Sequence, residues 1–202
     1  MIHEPSTLVT DYALAAVTAW LAWRLSQRVE SQRSRVAWIV AFVAVALTAF
    51  LGGTWHGFRL PVWPATVALA GIISFAMVAG SAIATTSGPV RAALLGLTAV
   101  KLLGYEAWML SHDEYIYVVA DTGAALAMVA ALHGWALARR GDPASRWILA
   151  GVGVSLVAAA VQASGFAVHR HLNHNDLYHL IQIAAMAFFY RGVAIMRDAP
   201  RR

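Results

Sequence analysis

Two short stretches hold most of the side chains capable of chemistry. The first, HLNHNDLYHLIQ at 171–182, sets His171, His174 and His179 beside Asn173, Asn175 and Asp176, and opens an apolar run that continues to Tyr190. The second, LGGTWHGF at 51–58, closes another apolar run and contains His56. Asn175, His179 and Gln182 fall at i, i+4 and i+7, so a helix would align them as one polar stripe. Asp176 precedes His179 by three residues, which lets a carboxylate orient the imidazole and fix the free ring nitrogen. Asn175 or Asp176 would equally suit a helix N-cap. In the second stretch Gly52 and Gly53 admit a neighbouring backbone. His56 lies one turn from Gly52 on the same face, and a hydrogen bond to a backbone carbonyl is its ordinary alternative use.

The chemistry these groups point to is metal-assisted hydrolysis. Zinc needs three or four nitrogen or oxygen ligands at about 2.0–2.2 Å, with one position open in a catalytic site. His56, His179 and His174 are the expected ligands, with Asp176 or Asp121 as alternatives for the third. Zinc-bound water ionises near neutrality and attacks an ester or amide carbonyl. Asp121, Asp176 or Glu106 would then shuttle the proton. No HExxH spacing occurs, so the ligands have to meet across helices.

The elements that must position these groups are membrane spans. The chain has 202 residues, 60% hydrophobic and only 12% charged, about half the charged fraction of a soluble domain. Apolar runs at about 8–25, 36–56, 64–86, 90–110, 115–137, 147–168 and 175–193 are each near the ~20 residues needed to cross hydrocarbon. Pro61, Pro64, Gly88-Pro89 and Gly141-Asp142-Pro143 mark turns between them. The expected fold is all-α: one domain, 1–202, forming a seven-transmembrane-helix bundle. The start carries Glu4 and Asp11 rather than a basic signal-peptide region, so the first segment is expected to be retained. There is no cysteine, which excludes disulfides and thiolate chemistry.

A net charge of +5 raises nucleic acid as a partner, but the arginines cluster between apolar runs and read as topology signals instead. Arg24, Arg28, Arg33 and Arg35, then Arg91, then Arg139, Arg140 and Arg146, then the C-terminal arginines, all fall at one end of the bundle; the other holds Arg59 and Arg170. The positive-inside rule therefore sets the N-terminus outside and the C-terminus inside. Trp20, Trp23, Trp38, Trp135 and Trp147 would mark the inner interface, and Trp55, Trp63 and Trp108 the outer one.

With that orientation, Asp11, His56, Glu106, Asp121, Asp176 and His179 share one level of the outer leaflet. A charged group at a helix centre costs about 2.5–3.5 kcal/mol on insertion scales, so the expectation is that they face one another around a polar cavity open to the outside. Lys101, the only lysine, is expected to pair with Asp121 or Glu106 and close the cavity floor. Asp11, Lys101, Asn175 and Gln182 form the expected structural polar network. His133 reads as an interfacial hydrogen bonder, and His112, Asp113 and Glu114 as a solvated loop.

Seven spans, a histidine ending the second and a histidine-bearing polar turn opening the seventh resemble the CREST superfamily of alkaline ceramidases and progestin and adipoQ receptors. The LGGxxHGF-like and HNDLYHxIQ-like motifs are more similar still to bacterial seven-span proteins of unassigned function, which implies the bacterial cytoplasmic membrane. The resemblance implies a zinc-dependent hydrolase of lipid amides or esters, with membrane lipids as partners. His56 matches the second-span histidine, and His179 the second histidine of the seventh-span pair. Asn175 stands where the first of that pair would be, Gly52 where a serine would be, and the third span has no carboxylate. Two other functions compete. A non-catalytic membrane subunit would bind protein partners, and a b-type haem protein would use His56 and His179 as axial ligands.

Overall fold

The computed structural model describes residues 2–169 and 171–200. Seven helices follow one another: α1 (Pro5–Ser26), α2 (Arg33–Phe58), α3 (Trp63–Thr85), α4 (Gly88–Met109), α5 (Tyr115–Arg140), α6 (Pro143–Ser164) and α7 (His174–Ile195). Local chemistry sets their ends. Proline occupies the first turn of α1, α3, α4 and α6, where its missing N–H costs no helical bond. Asp142 caps α6 by accepting from the Ser145 N–H. Asn173 caps α7, and Asp176 returns the bond to the Asn173 N–H, closing a capping box. The cap is therefore Asn173, ahead of both residues the sequence offers for that task.

The sixth segment shifts by four residues, from the expected 147–168 to 143–164. Apolar character runs on through Phe166 and Val168, but Gly165 takes φ +68° and ends the helix. Beyond it, the backbones of His169 and Leu172 pair just ahead of α7.

Five helices, α2, α3, α5, α6 and α7, are long and apolar enough to cross a membrane. Their surroundings agree with that. On α2, Val36, Val40, Val43, Leu47 and Phe50 form a continuous exposed ribbon, each 44–50% accessible. On α4, Val90, Leu97, Val100 and Leu103 are more exposed still, as is Leu110 just past its end. Apolar surface this continuous is rare on a water-soluble monomer and is ordinary where hydrocarbon is the solvent. The chain is an integral membrane protein by this measure.

Six helices close a ring in the order α1, α2, α3, α5, α6, α7 and back to α1, while α4 leans on α3 from outside. α3 is consequently the most buried. Small residues set the close approaches. A Cβ on Gly53 would come within 2.8 Å of the Asp11 Cβ, and one on Gly151 within 2.6 Å of the Phe189 ring. The core runs through the ring from Leu14 and Leu25 on α1 to Trp38 and Phe42 on α2 and Phe189 on α7. The α1 start, α2 end and α7 start lie at one end of the bundle, hereafter the upper end.

The lower ends of α2, α3, α4 and α7 are laced to the C-terminal segment. Asp198 accepts from the Ser34 N–H at 2.9 Å and the Ser34 hydroxyl at 2.6 Å, capping α2 from the far end of the chain. Buried Arg35 donates to the carbonyls of Val193, Ala194 and Met196. The Ala199 N–H reaches the Ile83 carbonyl at 3.1 Å, and Arg91 donates to the Ala199 carbonyl at 2.8 Å.

Candidate functional site

On α1, Thr7, Thr10 and Asp11 stand at i, i+3 and i+4 and so face the same way. They meet the first turns of α7. His179 Nε2 lies 3.1 Å from Asp11 Oδ1, and His179 Nδ1 lies 3.0 Å from the Thr10 hydroxyl. Behind them Asp176 Oδ1 accepts from the Thr7 hydroxyl at 2.9 Å, while its Oδ2 accepts from the Asn173 N–H at 2.8 Å. Asp176 is wholly buried, and Asp11 and His179 nearly so. The result is a chain across two helices: Asp11, His179, Thr10, with Asp176 anchoring the α1 threonines and the α7 cap together.

The proton inventory is small. A neutral imidazole with its proton on Nε2 donates to Asp11 and accepts from Thr10. An imidazolium donates to both and sits between two carboxylates, Asp11 directly and Asp176 through the threonines. Either way the ring can take up or release one proton with its orientation held. Asp176 thus supports His179 through Thr10 rather than by direct contact.

His56 has its own carboxylate. Its Nδ1 lies 2.8 Å from Glu4 Oε2, and Glu4 also pairs with Arg59. The Arg59 guanidinium lies over the Trp55 ring at 4.3 Å. The His3 N–H donates to the Gly57 carbonyl at 3.1 Å, so the chain start is tied to the end of α2. Glu4, Thr7 and Thr10 were absent from the sequence-derived set. The TLVTD spacing of Thr7, Thr10 and Asp11 was the available signal for two of them.

Asp11, His56, Asn175, His179 and Gln182 all line one cavity of about 390 Å³ inside the helix ring, a size ordinary for a ligand site. Its upper wall adds Trp55, Trp63, Tyr115 and Gln162. The Tyr115 hydroxyl donates to Gln162 Oε1 at 3.0 Å, and Gln162 Nε2 to Asn175 Oδ1 at 3.2 Å, which links α5, α6 and α7 around the mouth. Below, the wall turns apolar, with Leu14, Phe42, Ile73, Met77, Met186 and Phe189. Asn175 to Phe189 is fourteen residues of α7, roughly 21 Å of depth at 1.5 Å per residue. The Thr48 and Ser155 hydroxyls enter this shaft without a hydrogen-bond partner among the described residues.

The remaining expected residues lie elsewhere. Lys101 pairs with Asp121, which bridges α4 to α5 away from the cavity wall instead of forming its floor. Glu106 packs against Gly71, where a Cβ would stand 2.5 Å from its Oε1, and lines a separate hollow of about 410 Å³ with His112 and Asp113. His174 opens α7 but is not among the cavity-lining residues. His133 is fully buried, its Nδ1 2.8 Å from the Ser145 hydroxyl, so its hydrogen bond joins α5 to α6. The ionisable groups of the upper level therefore divide into a cavity set and an α4–α5 set.

Among the described residues, no three His, Asp or Glu groups come together to hold a metal ion. The expected zinc trio of His56, His179 and His174 does not converge on the cavity. Haem fits no better, because both ring nitrogens of His179 already have partners.

No curated protein and no solved structure matches the chain. One family model matches, over residues 6–198, a span that takes in both histidine motifs and the whole cavity wall. The chain belongs to that family, described as a family of unknown function, DUF6962.

Proposed function

We propose that the chain crosses the membrane seven times with its N-terminus outside, admits a single-chain lipid into the ring, and hydrolyses an ester or amide bond near the lipid head. The observation that carries this reading is the cavity's gradient. Its mouth holds Asp11, His56 and His179, and its shaft is walled by apolar side chains over roughly 21 Å. An amphiphile is the ligand class that matches both halves, with its tail buried for about 0.8 kcal/mol per methylene and its head held at the polar level. The same arrangement is what the CREST resemblance implies for substrate class. The basic residues at the lower end support the orientation.

The Asp11–His179 pair would supply the acid–base chemistry. Asp11, which lines the cavity, takes a proton from water as the water oxygen attacks the carbonyl, and returns it to the departing amine or alcohol. His179, held by Thr10, keeps that carboxylate oriented through its Nε2 throughout. The Gln182 amide, whose one bond among the described residues is a long contact of 4.0 Å to Met186 Sδ, is available to donate to the carbonyl oxygen. Because the donor set does not converge for zinc, no step is routed through a metal.

The test is turnover in lipid nanodiscs, with single-chain ester and amide lipids followed by mass spectrometry. Cleavage lost in Asp11→Asn and His179→Asn, and kept in His174→Ala, supports the reading. A lipid bound in the cavity but never cleaved would leave a binding subunit and end the hydrolase reading. A cavity that retains no lipid would end both.

A further inference from the structure

Resting on that reading of the cavity as a lipid site, we infer that the head group it selects is a quaternary ammonium. Three rings, Trp55, Trp63 and Tyr115, form a contiguous wall at the mouth, with centroids 5.4 Å apart for the tryptophans and 6.4 Å apart for Trp63 and Tyr115. Two of them are fixed by their polar edges. Trp63 Nε1 donates to the Asp113 carbonyl at 2.8 Å, and the Tyr115 hydroxyl is held by Gln162. With those edges engaged, what remains to offer a ligand is ring face, and ring faces attract cations. The wall already does so within the protein, where Arg59 sits over Trp55.

Charge points the same way. Among the described residues, the cavity lining includes one carboxylate, Asp11, and neither lysine nor arginine. Arg59 lies outside that lining and is paired with Glu4. An anionic head would enter facing Asp11 with no cation among those described residues to receive it. A neutral head would gain hydrogen bonds from His56 or Asn175 but nothing from the rings. A quaternary ammonium cannot donate a hydrogen bond, so aromatic faces beside a carboxylate are the recognition open to it.

The experiment uses full-length protein in nanodiscs equilibrated with an equimolar mixture of tetradecyltrimethylammonium, tetradecanol and tetradecanoate, with bound probes counted by native mass spectrometry. The expected result is an excess of the ammonium probe of about tenfold. Trp63→Leu and, independently, Tyr115→Leu should abolish that excess while tetradecanol still binds, and Trp63→Phe should restore part of it. Equal occupancy by the three probes, or preference for the carboxylate, overturns the head-group inference and leaves the cavity reading standing. Absence of all three probes overturns the cavity reading, and this inference with it.

Discussion

His179 is the residue on which the site turns, because among the described residues it joins the one cavity-lining carboxylate, Asp11, to Asp176 through Thr10. Truncating it leaves Asp11 buried without its partner. We predict that His179→Ala lowers stability in detergent by about 1–3 kcal/mol, measured as a lower thermal midpoint, in addition to loss of turnover. Thr10→Val should act more selectively. It keeps the volume but removes the hydroxyl from Nδ1, so turnover should fall while cavity binding of a neutral lipid persists. Unchanged turnover in Thr10→Val would show that the imidazole needs no support from α1. The sequence displayed both ends of this contact, since Asp11 and His179 sit at matching depth in their segments. It did not display the threonines' task. A threonine in an apolar helix ordinarily bonds to its own backbone, as Thr10 also does to the Thr7 carbonyl at 3.1 Å, and only the shared face of Thr7, Thr10 and Asp11 pointed to the further contact with α7.

At the scale of elements, α1 and α2 approach closely at Gly53, and α7 begins on a capping box. A methyl on Gly53 meets Asp11 Cβ at 2.8 Å and Tyr12 Cδ1 at 2.9 Å, with helix backbone behind both. We predict that Gly53→Ala destabilises by about 1–3 kcal/mol. Gly96→Ala, with nothing within 4 Å of the new carbon, should stay within about 1 kcal/mol of the parent. Equal effects would remove the close packing as the reason for the glycine. Asn173→Ala should cost about 1 kcal/mol and also reduce activity, because the cap and the Asp176 anchor share atoms. Helix existence was legible from apolar runs, since lipid forces every span to satisfy its own backbone. Which side of a helix faces inward was not. Lipid and core are both apolar, so Asp121 showed its depth in the sequence but not its direction, which Lys101 on α4 sets. The sixth span slid for a similar reason: hydropathy continued past the glycine whose backbone ends the helix.

At the scale of the whole molecule, the proposed seven-span topology makes a direct prediction. The parent has no cysteine, so single cysteines report cleanly. Asp113→Cys, between α4 and α5, should react with an impermeant maleimide in intact cells. Gln27→Cys, between α1 and α2, should react only after lysis. Reaction of both in intact cells would break the proposed topology. The ring order, with α4 outside it, was not legible from any segment, because it depends on contacts between helices far apart in the chain, such as α1 with α7 and α3 with α5. The lacing of Asp198, Arg35 and Ala199 beneath the shaft has a further consequence. On the function proposed above, a lipid that comes in at the top backs out the same way, and its product returns to the leaflet its parent came from.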